Sequence, residues 1–255
     1  MRISLNDLNK AELNSLEWLA YIEKISASTV SGHFSANNGF DAPILIEWEK
    51  INPHSSRLSE KITSLSDLLV QSYSQIEIQF ARKHPEAVPN ELFLKPLESL
   101  FKDGLENVDW NLVEEKMKIN LKEFLISTDW GKYSGANDIH FFVTAKDKQT
   151  EALIGMIQFI ATPEFPYGNF KIALYDGVMP IRNNCNLEKL LMSTIFKLLP
   201  TTKRLFFHTR ITNESAIDSH RSIGFTPFPG NLDNWIDLEY IAKHTDILQE
   251  MAKLL

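Results

Sequence analysis

The stretch Asn213-Glu-Ser-Ala216-Ile-Asp-Ser-His220-Arg-Ser-Ile-Gly224-Phe225 decides the fold, because it predicts a short capped helix directly after a strand. Asn213 is a favoured N-cap residue, and Gly224 stands where a helix end commonly adopts the left-handed conformation. Asn213, Ala216 and His220 are spaced i, i+3 and i+7, so they share one helix face. An amide, a small side chain and an imidazole on one face are more typical of a ligand surface than of a packing stripe.

Hydrophobic periodicity on either side of this helix predicts an alternating series of strands and helices. The predicted strands cover residues 44–51, 138–146, 151–160, 170–179, 204–211 and 234–241. The predicted helices cover residues 5–25, 64–84, 90–101, 109–125, 187–199 and 213–223. Residues 26–38 are rich in Ser, Asn and Gly, which predicts a loop or linker. Even without a motif, this order indicates an α/β or α+β domain with a mixed sheet.

Residues 213–225 resemble the signature Asn-x-x-Ala-x-x-x-Tyr-x-Lys-x-Gly-Phe of the GNAT superfamily of N-acetyltransferases. His220 stands at the tyrosine position and Ser222 at the lysine position. The order of elements from residue 43 to residue 241 is also that of the family. The resemblance implies a GNAT-like, mixed and mostly antiparallel central sheet flanked by helices. It leaves residues 1–40 as an N-terminal helical extension and linker, and residues 41–255 as the acetyltransferase domain.

The same resemblance implies a site for acetyl-CoA. The family binds the pyrophosphate where a strand ends and a helix begins, through Arg/Gln-x-x-Gly-x-Gly/Ala, because free backbone N–H groups and the helix dipole attract phosphate there. In this chain Arg182 matches the first position, and Cys185 and Leu187 replace the two small residues. The implied cofactor contacts are Val178, Pro180, Arg182, Asn183, Asn184, Cys185, Asn186, Leu187, Asn213 and Ala216.

Two interpretations of this loop remain open. Asn183, Asn184 and Asn186 tolerate a positive φ better than other non-glycine residues, so a phosphate-binding turn can persist. In the other interpretation the side chains of Cys185 and Leu187 obstruct the pyrophosphate, and the fold has lost its cofactor.

Acetyl transfer to an amine needs a deprotonated amine, a donor to the oxyanion and a proton for the departing thiolate. By resemblance, the Val178 backbone N–H donates to the thioester oxygen and His220 protonates the sulfur, since an imidazole of ordinary pKa keeps some positive charge at neutral pH. Asp176 is the first candidate for the base. Strand alternation predicts that it shares a face with Leu174 and Val178, where apolar neighbours would raise its pKa. The lesser candidates for the base are Glu47, Glu49, His140 and His208.

Composition limits the partners. A net charge of −7 and a pI near 5.5 argue against a nucleic-acid or anionic membrane surface. The single cysteine, Cys185, excludes an intramolecular disulfide, and the 7 histidines lack the spacing of a metal site. No secretory signal or membrane-spanning run is visible, so a cytoplasmic protein is expected.

These observations predict an acetyl-CoA-dependent N-acetyltransferase that acts on a primary amine of a small molecule or peptide, and that forms either a monomer or a homodimer. The alternative is a catalytically silent GNAT-like module that binds acyl-CoA or a protein partner. The replaced small residues and the missing tyrosine fit that alternative.

Overall fold

The computed structural model describes residues 30–36, 44–135, 138–164, 169–178, 185–229, 234–242 and 247–254. The strands are β1 (Val30–Ala36), β2 (Ile44–Ile51), β3 (Ile139–Asp147), β4 (Leu153–Glu164), β5 (Asn169–Val178), β6 (Thr202–Arg210), β7 (Thr226–Pro227) and β8 (Trp235–Ile241). The α-helices are α1 (Ser56–Lys83), α2 (Trp110–Ser127), α3 (Cys185–Leu198), α4 (Glu214–Ile223) and α5 (Ile247–Leu254). Short 3-10 turns connect α1 to α2 and α2 to β3.

The strands form one eight-stranded sheet in the order β1-β2-β3-β4-β5-β6-β8-β7. Strands β5 and β6 pair in parallel, whereas the other neighbours pair antiparallel. A parallel pair needs a crossover connection, and α3 supplies it. The expected fold class, a mixed and mostly antiparallel central sheet flanked by helices, is therefore confirmed.

Two hydrophobic clusters cover the two faces of the sheet. Helices α3, α4 and α5 pack on the side that contains Phe141, Val143 and Phe159, which we call the α3 face. Helices α1 and α2 pack on the side that contains Phe142 and Met156, which we call the α1 face. Because β3 and β4 lie in the middle of the sheet, both of their faces are buried and their sequences are almost continuously apolar.

Four expectations about local structure were wrong or incomplete. Residues 30–36 of the expected linker form β1, which pairs antiparallel with β2 at the edge of the sheet. A polar segment can do this because the pairing uses backbone groups. Gly32 lies opposite Trp48, where a Cβ atom would come within 2.7 Å of the indole Nε1, so glycine leaves room for the ring.

Helix α1 begins at Ser56, eight residues before the expected start at residue 64. The helix expected over residues 90–101 does not form, and two 3-10 segments, Pro85–Asn90 and Lys95–Phe101, occupy this region. Pro89 lies inside the first segment, where its missing N–H disfavours an α-helix. Helix α5 was not expected, although Leu248 and Ala252 on it are buried in the α3-face cluster. The helix expected over residues 5–25 lies outside the described residues.

Candidate functional site

The parallel pair of strands opens at its carboxyl end. The ladder between β5 and β6 runs from Phe170 and Thr202 to Leu174 and Phe207, whereas β5 continues to Val178 and β6 to Arg210. Helix α3 begins after β5 and helix α4 begins after β6, so two helix N-termini follow the strands at this edge. Free backbone groups, helix dipoles and the carboxyl ends of parallel strands together are typical of a site for an anionic ligand.

A bulge in β5 changes which face its last residues occupy. Asp176 pairs with Gln158, but Leu174 pairs with Phe159, so Tyr175 is an extra residue in the ladder. Cross-strand partners lie on the same face of a sheet, and a one-residue insertion reverses the alternation. The expectation that Asp176 shares a face with Leu174 is therefore wrong.

The register after the bulge puts the end of β5 on the α1 face. Asp176 lies opposite Gln158, and Val178 lies opposite Met156, which belongs to the α1-face cluster. Leu174 lies opposite Phe159, which belongs to the α3-face cluster. The register therefore places Asp176 on the face of the sheet that α1 and α2 cover.

The structure describes only part of the expected cofactor loop. Pro180, Arg182, Asn183 and Asn184 lie outside the described residues. Val178 ends β5, and Cys185 and Asn186 open α3. Leu187 is 5% exposed and packs in the α3-face cluster. Because its side chain is part of the core, Leu187 does not fill the space in front of the helix, and the expected obstruction is not supported at this position.

Helix α4 ends as expected but begins differently. Gly224 has φ +113° and its N–H donates to the carbonyl of Arg221. Asn213 occupies the N-cap position, but its side chain makes no capping hydrogen bond. Instead its Nδ2 donates to Thr209 Oγ1 at 3.0 Å. This contact fixes the helix start to the end of β6, and both Asn213 and Ala216 remain half-buried.

His220 is enclosed between α4, α3 and β6. Its ring is 5% exposed, stacks on Phe207 with centroids 3.7 Å apart, and meets the edge of Phe225 at 4.9 Å. Its Nδ1 lies 2.8 Å from the carbonyl oxygen of Ala216, which can only accept, so Nδ1 carries the hydrogen. The buried Nε2 has no hydrogen-bond partner among the described residues.

Burial lowers the pKa of His220 to about 4, against a smaller opposing effect of the Ala216 carbonyl. The ring is therefore neutral at pH 7, and Nε2 presents a lone pair. The expectation that His220 holds a fraction of positive charge at neutral pH is wrong for this environment, because a cation would lose its hydration there.

Glu188 on α3 is the residue of this site that sequence reasoning missed. Its Oε1 lies 3.1 Å from His220 Nδ1, and its Oε2 accepts a hydrogen bond from Ser219. The side chain is buried, which raises the pKa of its carboxyl group. The sequence of α3 contains no signal that singles out Glu188, because an acidic residue in the first turn of a helix is ordinarily favoured by the helix dipole.

A second carboxylate–histidine pair lies on the opposite face of β6. His208 Nδ1 and Asp237 Oδ1 are 2.5 Å apart, and the ring stacks on Trp235 with centroids 4.5 Å apart and an interplanar angle of 7°. Phe207 and His208 are consecutive strand residues and so point to opposite faces. His208, expected only as a lesser candidate, is the first residue of β6 beyond its last pair with β5.

Beside that pair, Arg210 is held in a buried charge network. Its Nε and Nη2 donate to the two carboxylate oxygens of Glu77 at 3.0 and 2.7 Å, and Nη2 also lies 2.8 Å from Glu91 Oε2. Its guanidinium carbon lies 4.2 Å from the ring centroid of Phe80 and 4.0 Å from that of Trp235. Helix α1 and the segment after it are thereby tied to the end of β6.

The other candidates for the base are elsewhere. Glu47 and Glu49 lie on β2, three strands from β5, and contact Lys146 at 2.5 Å and Lys61 at 3.1 Å. His140 on β3 is buried, its Nε2 lies 2.8 Å from Ser134 Oγ, and burial lowers its pKa to about 4. The structure does not bring these residues to the opening.

Neither a metal site nor a membrane-spanning helix is found in the part of the chain that the structure describes. No group of three or more His, Cys, Asp or Glu side chains there could hold a metal ion. None of the helices described is both long and apolar enough to cross a bilayer.

No protein-family model and no curated protein sequence matches the chain. Solved structures do. Ribosomal-protein-S5-alanine acetyltransferase of Vibrio fischeri is 12% identical, with 82% of this chain and 96% of that chain covered and a TM-score of 0.36. The N-acetyltransferase PseH of Campylobacter jejuni is 18% identical, with 58% and 91% covered and a TM-score of 0.33.

The GNAT domain of S. lividans PAT is 12% identical with a TM-score of 0.33; the match covers 40% of this chain and 61% of that domain's chain. These matches are with GNAT-type acetyltransferases, the family that residues 213–225 resemble. At these identities and TM-scores no residue role is carried over from them.

Proposed function

We propose that the chain is an acetyl-CoA-dependent N-acetyltransferase of the GNAT type, with a primary amine of a small molecule or peptide as acceptor. The observation that carries this proposal is the opening of the parallel β5–β6 pair beyond Leu174 and Phe207, beside the start of α3 and α4. The pantetheine arm of CoA is an extended chain of amides, and the unpaired backbone of β5 can bond to it as to another strand.

The resemblance supplies the remaining contacts of this proposal. The N–H of Val178 donates to the thioester oxygen, and Pro180 precedes the loop that receives the pyrophosphate. That loop and the start of α3 comprise Arg182, Asn183, Asn184, Cys185, Asn186 and Leu187. Asn213 and Ala216 lie at the start of α4, next to the opening, where they contact the pantetheine arm.

His220 acts on the side of the departing sulfur. Since its Nδ1 hydrogen is bonded to Ala216, the neutral ring acts through the Nε2 lone pair. Nε2 takes a proton from the nitrogen that has attacked and passes it to the sulfur. Glu188 Oε1, 3.1 Å from Nδ1, stabilises the positive charge that the ring carries between these two transfers. Asp176 stays a proposed base, on the α1 face of β5 by register.

One observation favours a second candidate function, a silent module that binds acyl-CoA or a protein partner. The buried, neutral His220 has no hydrogen on Nε2 to donate, so it cannot serve as the simple acid that the family's tyrosine provides. If the shuttle does not operate, the opening still offers a binding site without turnover.

The test is ligand-dependent stability followed by turnover. Acetyl-CoA and CoA at a hundred times their dissociation constants should add about 2.7 kcal/mol of stability, visible as a rise in the thermal midpoint, whereas ATP should not. Release of CoA thiol in the presence of a panel of primary amines then measures transfer. A midpoint shift without thiol release would favour a silent module that binds acyl-CoA. The absence of any shift would contradict the acetyltransferase and would favour a silent module that binds a protein partner.

A further inference from the structure

We infer that His208, held by Asp237, is the base that removes the proton from the acceptor ammonium group. This inference rests on the proposed function and assigns one residue of its acceptor side. It replaces Asp176 in the role of the base and separates the two proton transfers of the reaction between two faces of the sheet.

The geometry of the pair fixes the tautomer of His208. An ionised carboxylate can only accept, so the 2.5 Å contact between Asp237 Oδ1 and His208 Nδ1 places the hydrogen on Nδ1. Nε2 is then left with its lone pair. The parallel indole of Trp235 holds the plane of the ring, and the side chain of His208 remains 47% exposed, so a ligand can reach it. An oriented and accessible imidazole nitrogen that bears the lone pair of the neutral ring is what a general base requires.

The position of the pair is set by the ladder. Leu174 and Phe207 form the last pair between β5 and β6, and His208 is the next residue. Asp237 lies directly opposite His208 on β8. Because the bulge shifts Asp176 to the α1 face, the register puts Asp176 and His208 on that same face, on the two strands that border the opening.

His220 approaches the same opening from the α3 face, through its stacking on Phe207. The two imidazoles therefore lie on opposite faces of β6, at one end of the β5–β6 ladder. One of them is half exposed and the other is enclosed. A substrate that enters from solvent can reach His208, whereas the ring of His220 is shielded from water.

The charges around His208 favour a cationic acceptor. The charged groups on this face near β6 include Asp237 and Glu239 of β8, Arg204 and Arg210 of β6, Asp176 and Lys171 of β5, Glu77 of α1, Glu91 after α1 and Glu164 of β4. Arg210 is shared by two carboxylates, and Arg204 likewise lies near two. Negative charge therefore exceeds positive charge here, which attracts an ammonium group and disfavours a carboxylate acceptor.

The proton balance is complete. His208 Nε2 takes one proton from R–NH3⁺ and releases it to solvent, which its exposure allows. The free amine forms the C–N bond as the C–S bond breaks, and the second amine proton reaches the sulfur through His220. The products are the N-acetyl amine and CoA thiol, with one proton released per turnover, and both histidines return to their starting state.

The experiment compares His208→Gln and Asp237→Asn with the wild-type chain, using acetyl-CoA and two acceptors. The first is an alkylamine, which is protonated at pH 7, and the second is a weakly basic aryl amine, which is already neutral there. We expect His208→Gln to lower kcat/KM for the alkylamine by about 100-fold or more at pH 7. The loss of kcat/KM should shrink as pH rises and should be nearly absent with the aryl amine. In both situations the amine is already neutral, so no base is needed to remove a proton from it.

His84→Gln is the matched control, since His84 also lies near a carboxylate (Glu86, 3.3 Å) and stacks on an aromatic ring (Phe80, 5.2 Å), but it follows helix α1 and belongs to neither of the strands that border the opening. It should leave kcat/KM unchanged. The inference is overturned if His208→Gln lowers kcat/KM equally with both acceptors or leaves kcat/KM unchanged with both. It is also overturned if Asp176→Asn alone shows a loss of kcat/KM that depends on the acceptor. Absence of both acetyl-CoA binding and turnover in the wild-type chain would instead overturn the proposed function and this inference with it.

Discussion

The two carboxylate–histidine pairs on either side of β6 contain the same chemical groups in different surroundings. The side chains of Glu188 and His220 are each 7% exposed, whereas those of Asp237 and His208 are 33% and 47% exposed. In the enclosed pair, burial raises the pKa of the carboxyl group and lowers that of the imidazole, so both charged forms are disfavoured. Burial thus decides which pair exchanges protons with solvent and which keeps them within the site.

The largest expected effect is on turnover at the enclosed pair. His220→Phe preserves the stacking on Phe207 but removes Nε2, so kcat should fall by about 10²- to 10⁴-fold, the usual contribution of a positioned acid or base. The acetyl-CoA dissociation constant should stay nearly unchanged. His220→Tyr, which restores the residue of the family signature, should recover part of the rate. Equal turnover in His220→Phe and the wild-type chain would remove His220 from the mechanism.

The next largest effect is on the stability of the fold, through Arg210, which lies beside the exposed pair. Arg210→Ala leaves the carboxylate of Glu77 buried without its bidentate partner and should reduce the free energy of unfolding by about 3–5 kcal/mol, measured by urea denaturation. The control is Lys83→Ala, which removes the surface pair of Lys83 with Glu214 and should cost less than about 1 kcal/mol. Similar losses in both variants would mean that burial does not set the strength of these ion pairs.

The third prediction is a pH dependence that distinguishes enclosed from exposed histidines. The pKa of His220 is about 4 in the folded chain and ordinarily 6.5, so the unfolded chain binds more protons between these values. Stability should therefore fall as pH drops from 6.5 towards 4, by about 3 kcal/mol for this group. His140 has the same shift and should contribute similarly.

Thermal or urea unfolding between pH 4.5 and 7.5 measures this loss. In His220→Phe the slope should be shallower than in the wild-type chain. An unchanged slope in His220→Phe would show that the ring is not neutral in the folded chain.

The helices and strands could be predicted from the sequence more completely than the contacts of the site. Apolar alternation predicted β2 to β6 and β8, and the Asn213 and Gly224 signals predicted α4, because these patterns are local. The bulge at Tyr175 depends on how β5 pairs with β4, so the face of Asp176 could not be deduced from β5 alone. The partners Glu188 and Asp237 are separated from their histidines by 32 and 29 residues, so only packing brings them together.

The smallest expected effect is the contribution of the exposed pair to the free energy of unfolding. Asp237→Asn removes the charge but keeps the size of the side chain opposite His208, and an exposed pair of this kind contributes about 0–1 kcal/mol. Urea denaturation should therefore show almost no change, while kcat/KM for an alkylamine falls because the His208 tautomer is no longer fixed. A loss of several kcal/mol in stability would instead make the pair a structural element of the β6–β8 ladder, with the histidine held for packing alone.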